Sequence, residues 1–174
     1  VKNADKAVVE ETPVTKLEAA TKAMTEGLDK NKSLQFLAIE TSYRTIRAVE
    51  DVQMSVSRAI TSCSKENKDM SKTYNDTYTD WKEALRPTLK EGRIKLDKMI
   101  LLQGFAQPSE VRAYLKKFDA AIIYRNQGVK TVPVTKREDC DRLVANMAET
   151  KVNLKKLIID TLALDREIQV QADE

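Results

Sequence analysis

Histidine is absent from the 174 residues of the chain. The commonest general base is therefore missing, and Ser-His-Asp, Cys-His and Glu-x-x-His di-iron arrangements are excluded. Glycine is scarce: Gly27, Gly92, Gly104 and Gly128 stand singly, so no glycine-rich loop can cradle a phosphate. Two cysteines without histidine do not make a closed zinc shell. No apolar run approaches the roughly 18 residues that a membrane-spanning helix needs. A carboxylate pair could still act as acid and base. The acidic residues, however, fall opposite the apolar stripes, where a solvated surface is the default. No enzymatic activity, metal or cofactor is expected.

What remains is rich in Lys, Glu, Ala and Leu, with 33% charged residues, 5% aromatics and only 4 prolines. That mixture favours long helices. The length suits one domain with a sizeable core. The net charge of +3 comes from 30 basic and 27 acidic residues interleaved along the chain. A nucleic-acid surface would concentrate its basic residues on one face, so no nucleic-acid partner is expected. The opening Val1-Lys2-Asn3-Ala4-Asp5 is polar, unlike a secretory leader, and the missing initiator Met fits a chain from which a leader or anchor has been removed. Residues 1–12 carry no apolar pattern and read as a flexible arm, leaving 13–174 as a single helical-bundle domain.

The tetrapeptide PVTK occurs twice, at 13–16 and 133–136. Each copy is followed by glutamate, giving Thr15…Glu18 and Thr135…Glu138, the spacing of a capping box. Both copies are therefore read as helix starts rather than as a repeat or a ligand motif. A first helix is expected from Lys16 to Asp29, ended by Gly27 and the Asn31-Lys32-Ser33 stretch. A second, over Ser33–Glu66, carries Ala38, Thr45, Val49, Val52, Val56, Ala59 and Cys63 on its core face, widened by Ile39, Ile46 and Ile60. A third starts near Asp69 with Tyr74, Tyr78, Trp81 and Leu85. Its stripe resumes beyond Pro87 and ends at Gly104, which predicts one helix kinked at the proline. A fourth opens on Pro108 and closes at Asn126-Gln127-Gly128, where glycine is free to take a positive φ. The last, from Lys136 to about Val170, repeats a coiled-coil-like 3-4 spacing through Cys140, Leu143, Met147, Thr150, Leu154, Leu157, Thr161, Leu164 and Ile168.

The expected fold is thus all-α: a long antiparallel up-down bundle of four principal helices, one kinked, plus a shorter N-terminal helix. In that topology the second helix ends where the last begins, so Cys63 and Cys140 meet at one end, both facing inward. A disulfide is preferred to two buried thiols. Closing so long a loop would stabilise the fold by roughly 4–5 kcal/mol in the chain-entropy model. It would also place the protein in an oxidising compartment, secreted or periplasmic.

Three features are candidates for binding. Tyr74, Tyr78 and Trp81 share a helical face that either forms the widest core layer or lines a pocket for a small hydrophobic or aromatic ligand. Ser42, Thr45, Thr150 and Thr161 place hydroxyls on core stripes, where they either bond their own helix or line a polar site. In the run 152–159, Leu154, Leu157 and Ile158 are expected inward and Val152 and Ile159 outward, which would matter as a contiguous patch. Asn31-Lys32-Ser33 and Asn75-Asp76-Thr77 match the N-glycosylation pattern. The functional expectation is a non-enzymatic extracytoplasmic protein that presents a helix face to a protein partner, of an adhesin-like, effector-like or envelope-associated type. The alternatives are a small-molecule sensor or carrier, and a cytosolic scaffold with reduced thiols.

Overall fold

The computed structural model describes residues 9–166, in which all regular structure is helical: α1 (Pro13–Thr25), α2 (Lys30–Glu66), α3 (Ser71–Leu102), α4 (Pro108–Asn126) and α5 (Arg137–Leu162), with a single 3-10 turn, Lys68–Met70, ahead of α3. The two PVTK copies serve different positions. In the first, Thr12 is the cap: its hydroxyl accepts from the Thr15 amide at 3.2 Å, and its own amide donates to the Thr15 hydroxyl at 2.8 Å. Pro13 then takes the first helical position, where a missing N–H costs nothing. In the second copy, the helix waits until Arg137, and Lys136 caps it without a side-chain bond. The Asn67 amide donates to the Thr135 carbonyl at 3.0 Å, and the Cys63 sulfur lies 3.5 Å from the Val134 carbonyl oxygen. Those contacts hold the segment against the end of α2 before the helix can begin. Neither predicted Thr-Glu box forms the cap.

Other boundaries also shift. α1 ends at Thr25, Gly27 turns the chain at φ 74°, and Asp29 caps α2 by accepting from the Lys32 amide at 2.9 Å. The Asn31-Lys32-Ser33 stretch is therefore the first turn of α2. α3 continues through Pro87. Both Pro87 and Glu83, whose carbonyl loses its amide partner, sit on the exposed face, where water can compensate. Gly128 does not adopt a positive φ. The left-handed non-glycine residue among the described residues is Ala163, beyond α5. Its amide and that of Leu164 donate back to Asp160 and Ile159, closing the helix as a Schellman turn does. Of the region expected to continue α5 to Val170, residues 167–170, including Ile168, lie outside the described residues, as do residues 1–8 of the arm.

Helices α2, α3 and α5 pack pairwise, and α1 packs on α4. α2 and α3 are antiparallel: Asn75 donates to Ser64, Arg93 pairs with Glu50, and the Gly104 amide donates to Gln35. α5 runs parallel to α3, from Tyr74–Asp141 at one end to Lys95, which donates to the Ala163 and Arg166 carbonyls, at the other. α4 follows α2 through Phe36–Tyr114, Tyr43–Phe118 and Arg47–Asp119. At Gly92 the long helices approach closely. An added Cβ would meet Ile158 at 3.2 Å, Leu162 at 3.6 Å and Ile46 at 3.7 Å.

The core faces depart from the predicted stripes in a systematic way. On α2 the buried positions are Phe36, Ile39, Ser42, Ile46, Val49, Ile60 and Cys63, while Ala38 is exposed and Thr45 half-buried. On α5 they are Cys140, Met147, Ile158 and Leu162, and Leu157 points outward at 45% exposure. A strict 3-4 repeat drifts about 20° per heptad against a helix of 3.6 residues per turn. The inward face has therefore moved from Leu157 to Ile158 by the last two turns of α5. Val152 and Ile159 are exposed as expected.

Candidate binding site

The predicted cysteine pair is joined, Cys63 to Cys140, with 5.8 Å between the Cα atoms and both side chains fully buried. Polar contacts surround it. Tyr74 donates to Asp141 at 2.6 Å, and Arg137 donates to Asp69 at 2.9 Å. The arginine holds the Asp69 carboxyl below the usual carboxylate range. Burial, then the Asp141 hydrogen bond, pushes the Tyr74 hydroxyl up. This end of the molecule fastens the first turn of α5 to α2 and α3.

The aromatic trio lies beyond it. Tyr74 and Trp81 are buried, Tyr78 is half-buried, and the Tyr78 and Trp81 rings are 6.1 Å apart at 34°. They form a layer of the core between helices. The Trp81 Nε1–H is buried and has no hydrogen-bond partner among the described residues. Of the core-stripe hydroxyls, Thr150 bonds its own helix, donating to the Asn146 carbonyl one turn back at 3.0 Å. Asn31 is exposed in the first turn of α2, whereas the Asn75 amide is engaged by Ser64 and Ser71.

A charged cluster fixes α4. The Arg47 guanidinium lies 2.9 Å from Asp119, which also accepts from the Tyr43 hydroxyl, and Glu50 bridges Arg47 to Arg93. Burial and the Asp119 carboxylate push the Tyr43 hydroxyl far above its ordinary value. Arg47 Nε and Asp119 Oδ1 meet as an ion pair without a well-aligned hydrogen bond, and each charge of the cluster is paired in the fold, so the cluster reads as a brace between α2, α3 and α4. Among the described residues no group of three or more His, Cys, Asp or Glu side chains is placed to hold a metal ion, and no helix is long and apolar enough to cross a membrane.

An open feature lies at the opposite end, at the α3–α4 turn. An open recess of about 490 Å³ is lined by residues 103–108 and Glu110. Its backbone is fixed by three side chains. Gln103 accepts from the Phe105 and Ala106 amides at 2.8 and 3.0 Å and donates to the Ala106 carbonyl at 2.6 Å. Gln35 of α2 accepts from the Gly104 amide at 2.9 Å, and Glu110 accepts from the Gln107 amide at 2.9 Å. Phe105 packs edge-on against Phe36, ring centroids 5.8 Å apart, which ties the turn to α2. At the same end of α2 and α3, four leucines stay more than half exposed: Leu34 at 55%, Leu37 at 56%, Leu101 at 59% and Leu102 at 52%. α5 does not reach this level, having ended at Leu162 beside Lys95, seven residues before Leu102.

Of these residues the sequence marked only Gly104, as a helix end, and Pro108, as a helix start. The signal of the rest was faint: a Leu-Leu pair ending a helix, followed by Gln-Gly-Phe-Ala-Gln-Pro, whose Gln107…Glu110 spacing is a variant capping box. No family model, no curated protein and no solved structure matches the chain.

Proposed function

We propose that the chain is a non-enzymatic, extracytoplasmic binding protein whose partner is a protein seated on the α2 and α3 faces beside the α3–α4 turn. The observation that carries this reading is the combination at one end of a recess locked by Gln35, Gln103 and Glu110 with four largely exposed leucines. A surface already fixed in shape loses little conformational freedom on binding, and exposed aliphatics at one end of the fold favour a protein partner. The arrangement that fits is an up-down antiparallel bundle of α2, α3, α4 and α5 with α1 appended to α4, a rod presenting one end. The secreted or periplasmic setting rests on the Cys63–Cys140 bridge, since such bonds persist in oxidising compartments.

The test is site-specific photo-crosslinking in the cells that make the protein, with the photoreactive group at Leu102 and, as control, at Val132 on the connection between α4 and α5. A discrete adduct at position 102 that Leu34→Asp abolishes is the expected result. Equal labelling from both positions, or capture only at Val132, would sink the reading.

A second reading, a small hydrophobic or aromatic ligand held between helices near Tyr74, Tyr78 and Trp81, is favoured by one observation: the unpartnered indole N–H of Trp81. Trp81 is the only tryptophan. Its fluorescence should shift saturably with a bound lipid, amino acid or aromatic compound, and an unmoved spectrum across those classes rejects it.

A further inference from the structure

We propose that the outer face of α4, with the connection that follows it, docks on a membrane surface rich in anionic lipid headgroups. Charges of the two signs are interleaved through most of the chain, but not here. Residues 111–136 hold six basic residues, Arg112, Lys116, Lys117, Arg125, Lys130 and Lys136, against one acid, Asp119. The other residues hold 24 of the 30 basic and 26 of the 27 acidic side chains, so the whole positive excess of the chain lies in this segment. Its one acid is already taken, since Asp119 pairs with Arg47 and accepts from Tyr43. All six cations are exposed, and none pairs with a carboxylate among the described residues.

The helix sets the arrangement. α4 buries Val111, Tyr114, Leu115, Phe118 and Ala121. At 3.6 residues per turn, Arg112, Lys116 and Ile123 fall within about 40° of one another on the side away from that stripe. Residues 123–133 are then exposed without a break. Apolar side chains stand among the cations there: Ile123 at 57% exposure, Tyr124 at 43%, Val129 at 64% and Val132 at 87%. That mixture selects the partner. In a bilayer surface, Lys and Arg meet the lipid phosphates while aliphatic and tyrosyl side chains enter the boundary just below them. A nucleic acid would pair with the cations through its phosphates but leave the aliphatics in water. Cations spread along a helix and its connection also suit many headgroups better than a single bound anion.

The experiment is co-sedimentation of the full, oxidised chain with vesicles of phosphatidylcholine alone and of an equimolar mixture with phosphatidylglycerol. Binding is expected on the mixed vesicles and not on phosphatidylcholine. Raising salt from about 0.1 M to about 1 M shortens the screening length from about 10 Å to about 3 Å and should release most of the protein. Each cation at an anionic surface contributes about fivefold in affinity, so Lys116→Gln with Lys130→Gln should weaken binding at least about tenfold. Ile123→Ser should weaken it as well, which a purely electrostatic contact would not show. Lys82→Gln with Lys90→Gln, on α3, removes the same charge elsewhere and should leave binding unchanged. All five positions are exposed, so helicity and thermal stability should hold in every variant. No binding to the mixed vesicles, equal binding to both kinds, equal loss in the two lysine pairs, or indifference to Ile123→Ser overturns the proposal. Capture of duplex DNA or of a polyglutamate peptide by the same lysines, without vesicle binding, overturns it too and assigns the face to a polyanion.

Discussion

Three tyrosine hydroxyls reach across helix interfaces to polar partners. Tyr43 donates to Asp119 of α4, Tyr74 to Asp141 of α5, and Tyr114 shares a hydrogen bond of 3.0 Å with Thr21 of α1. Burial raises all three above their ordinary value, with Asp119 and Asp141 reinforcing the shift for Tyr43 and Tyr74 and the Thr21 bond opposing it for Tyr114. Below about pH 10 the phenols are protonated in both folded and unfolded chains, and the contribution is constant. Above it the unfolded chain releases these protons while the folded one keeps them. The native state then binds more protons, and stability falls as pH rises. The midpoint of urea unfolding should therefore decline between about pH 9 and pH 11. Tyr43→Phe should lower stability at neutral pH yet flatten that decline. A midpoint independent of alkaline pH in the parent protein would contradict the assignment.

At the scale of the helix, the end of α5 is the strained element. Ala163 sits at φ 46° and ψ 54°, a left-handed conformation that L-residues other than glycine avoid. Lys95 supports it by donating to the Ala163 and Arg166 carbonyls, and burial lowers the pKa of the Lys95 ammonium in return. Ala163→Gly removes the steric cost while loosening the unfolded chain. The expected net gain is about 0.5–1 kcal/mol, or a rise of about 2–3 °C in Tm, and calorimetry showing a fall instead would exclude this account of the cap. The same helix shows what a sequence yields. Periodicity placed all five helices, because apolar spacing is a property of the segment itself. It misplaced the inward face of α5, because the 3-4 count assumes a supercoiled helix. It also put Ala38 in the core, because exposure there depends on where another helix stops. The stop signal at Gly128 was sound, since α4 ends at Asn126, but the glycine takes no positive φ there; Gly27 and Ala163 do. The turn at Gln103 was hidden for a related reason: side-chain-to-backbone bonds leave no compositional trace. The Cys63–Cys140 pairing was legible because topology brought two inward positions to one end.

For the whole molecule, that pairing sets how stability responds to redox conditions. The bridged residues are 77 apart in sequence, so the bond restrains the unfolded chain by about 4–5 kcal/mol in the chain-entropy model. That is a large share of the roughly 5–15 kcal/mol by which a domain is stable. Both sulfurs are also fully buried, beneath Asn67 and the segment before α5. A thiolate must reach a sulfur to cleave it, so reduction has to wait for the α5 end to open. Two consequences can be measured together. A dithiol reductant should act slowly on the native protein, at a rate that climbs with added urea. The reduced protein, once formed, should unfold at a urea concentration lower by an amount matching about 4 kcal/mol. Rapid reduction of the native chain, at the rate seen in full denaturant, would mean that the sulfurs are reachable without opening. Slow reduction followed by a large loss of stability would instead show that the bridge is a protected fixture of the fold. A chain that loses this much on reduction would hold its helix packing, and so the end with Leu34 and Leu102, only where the environment keeps the bond closed.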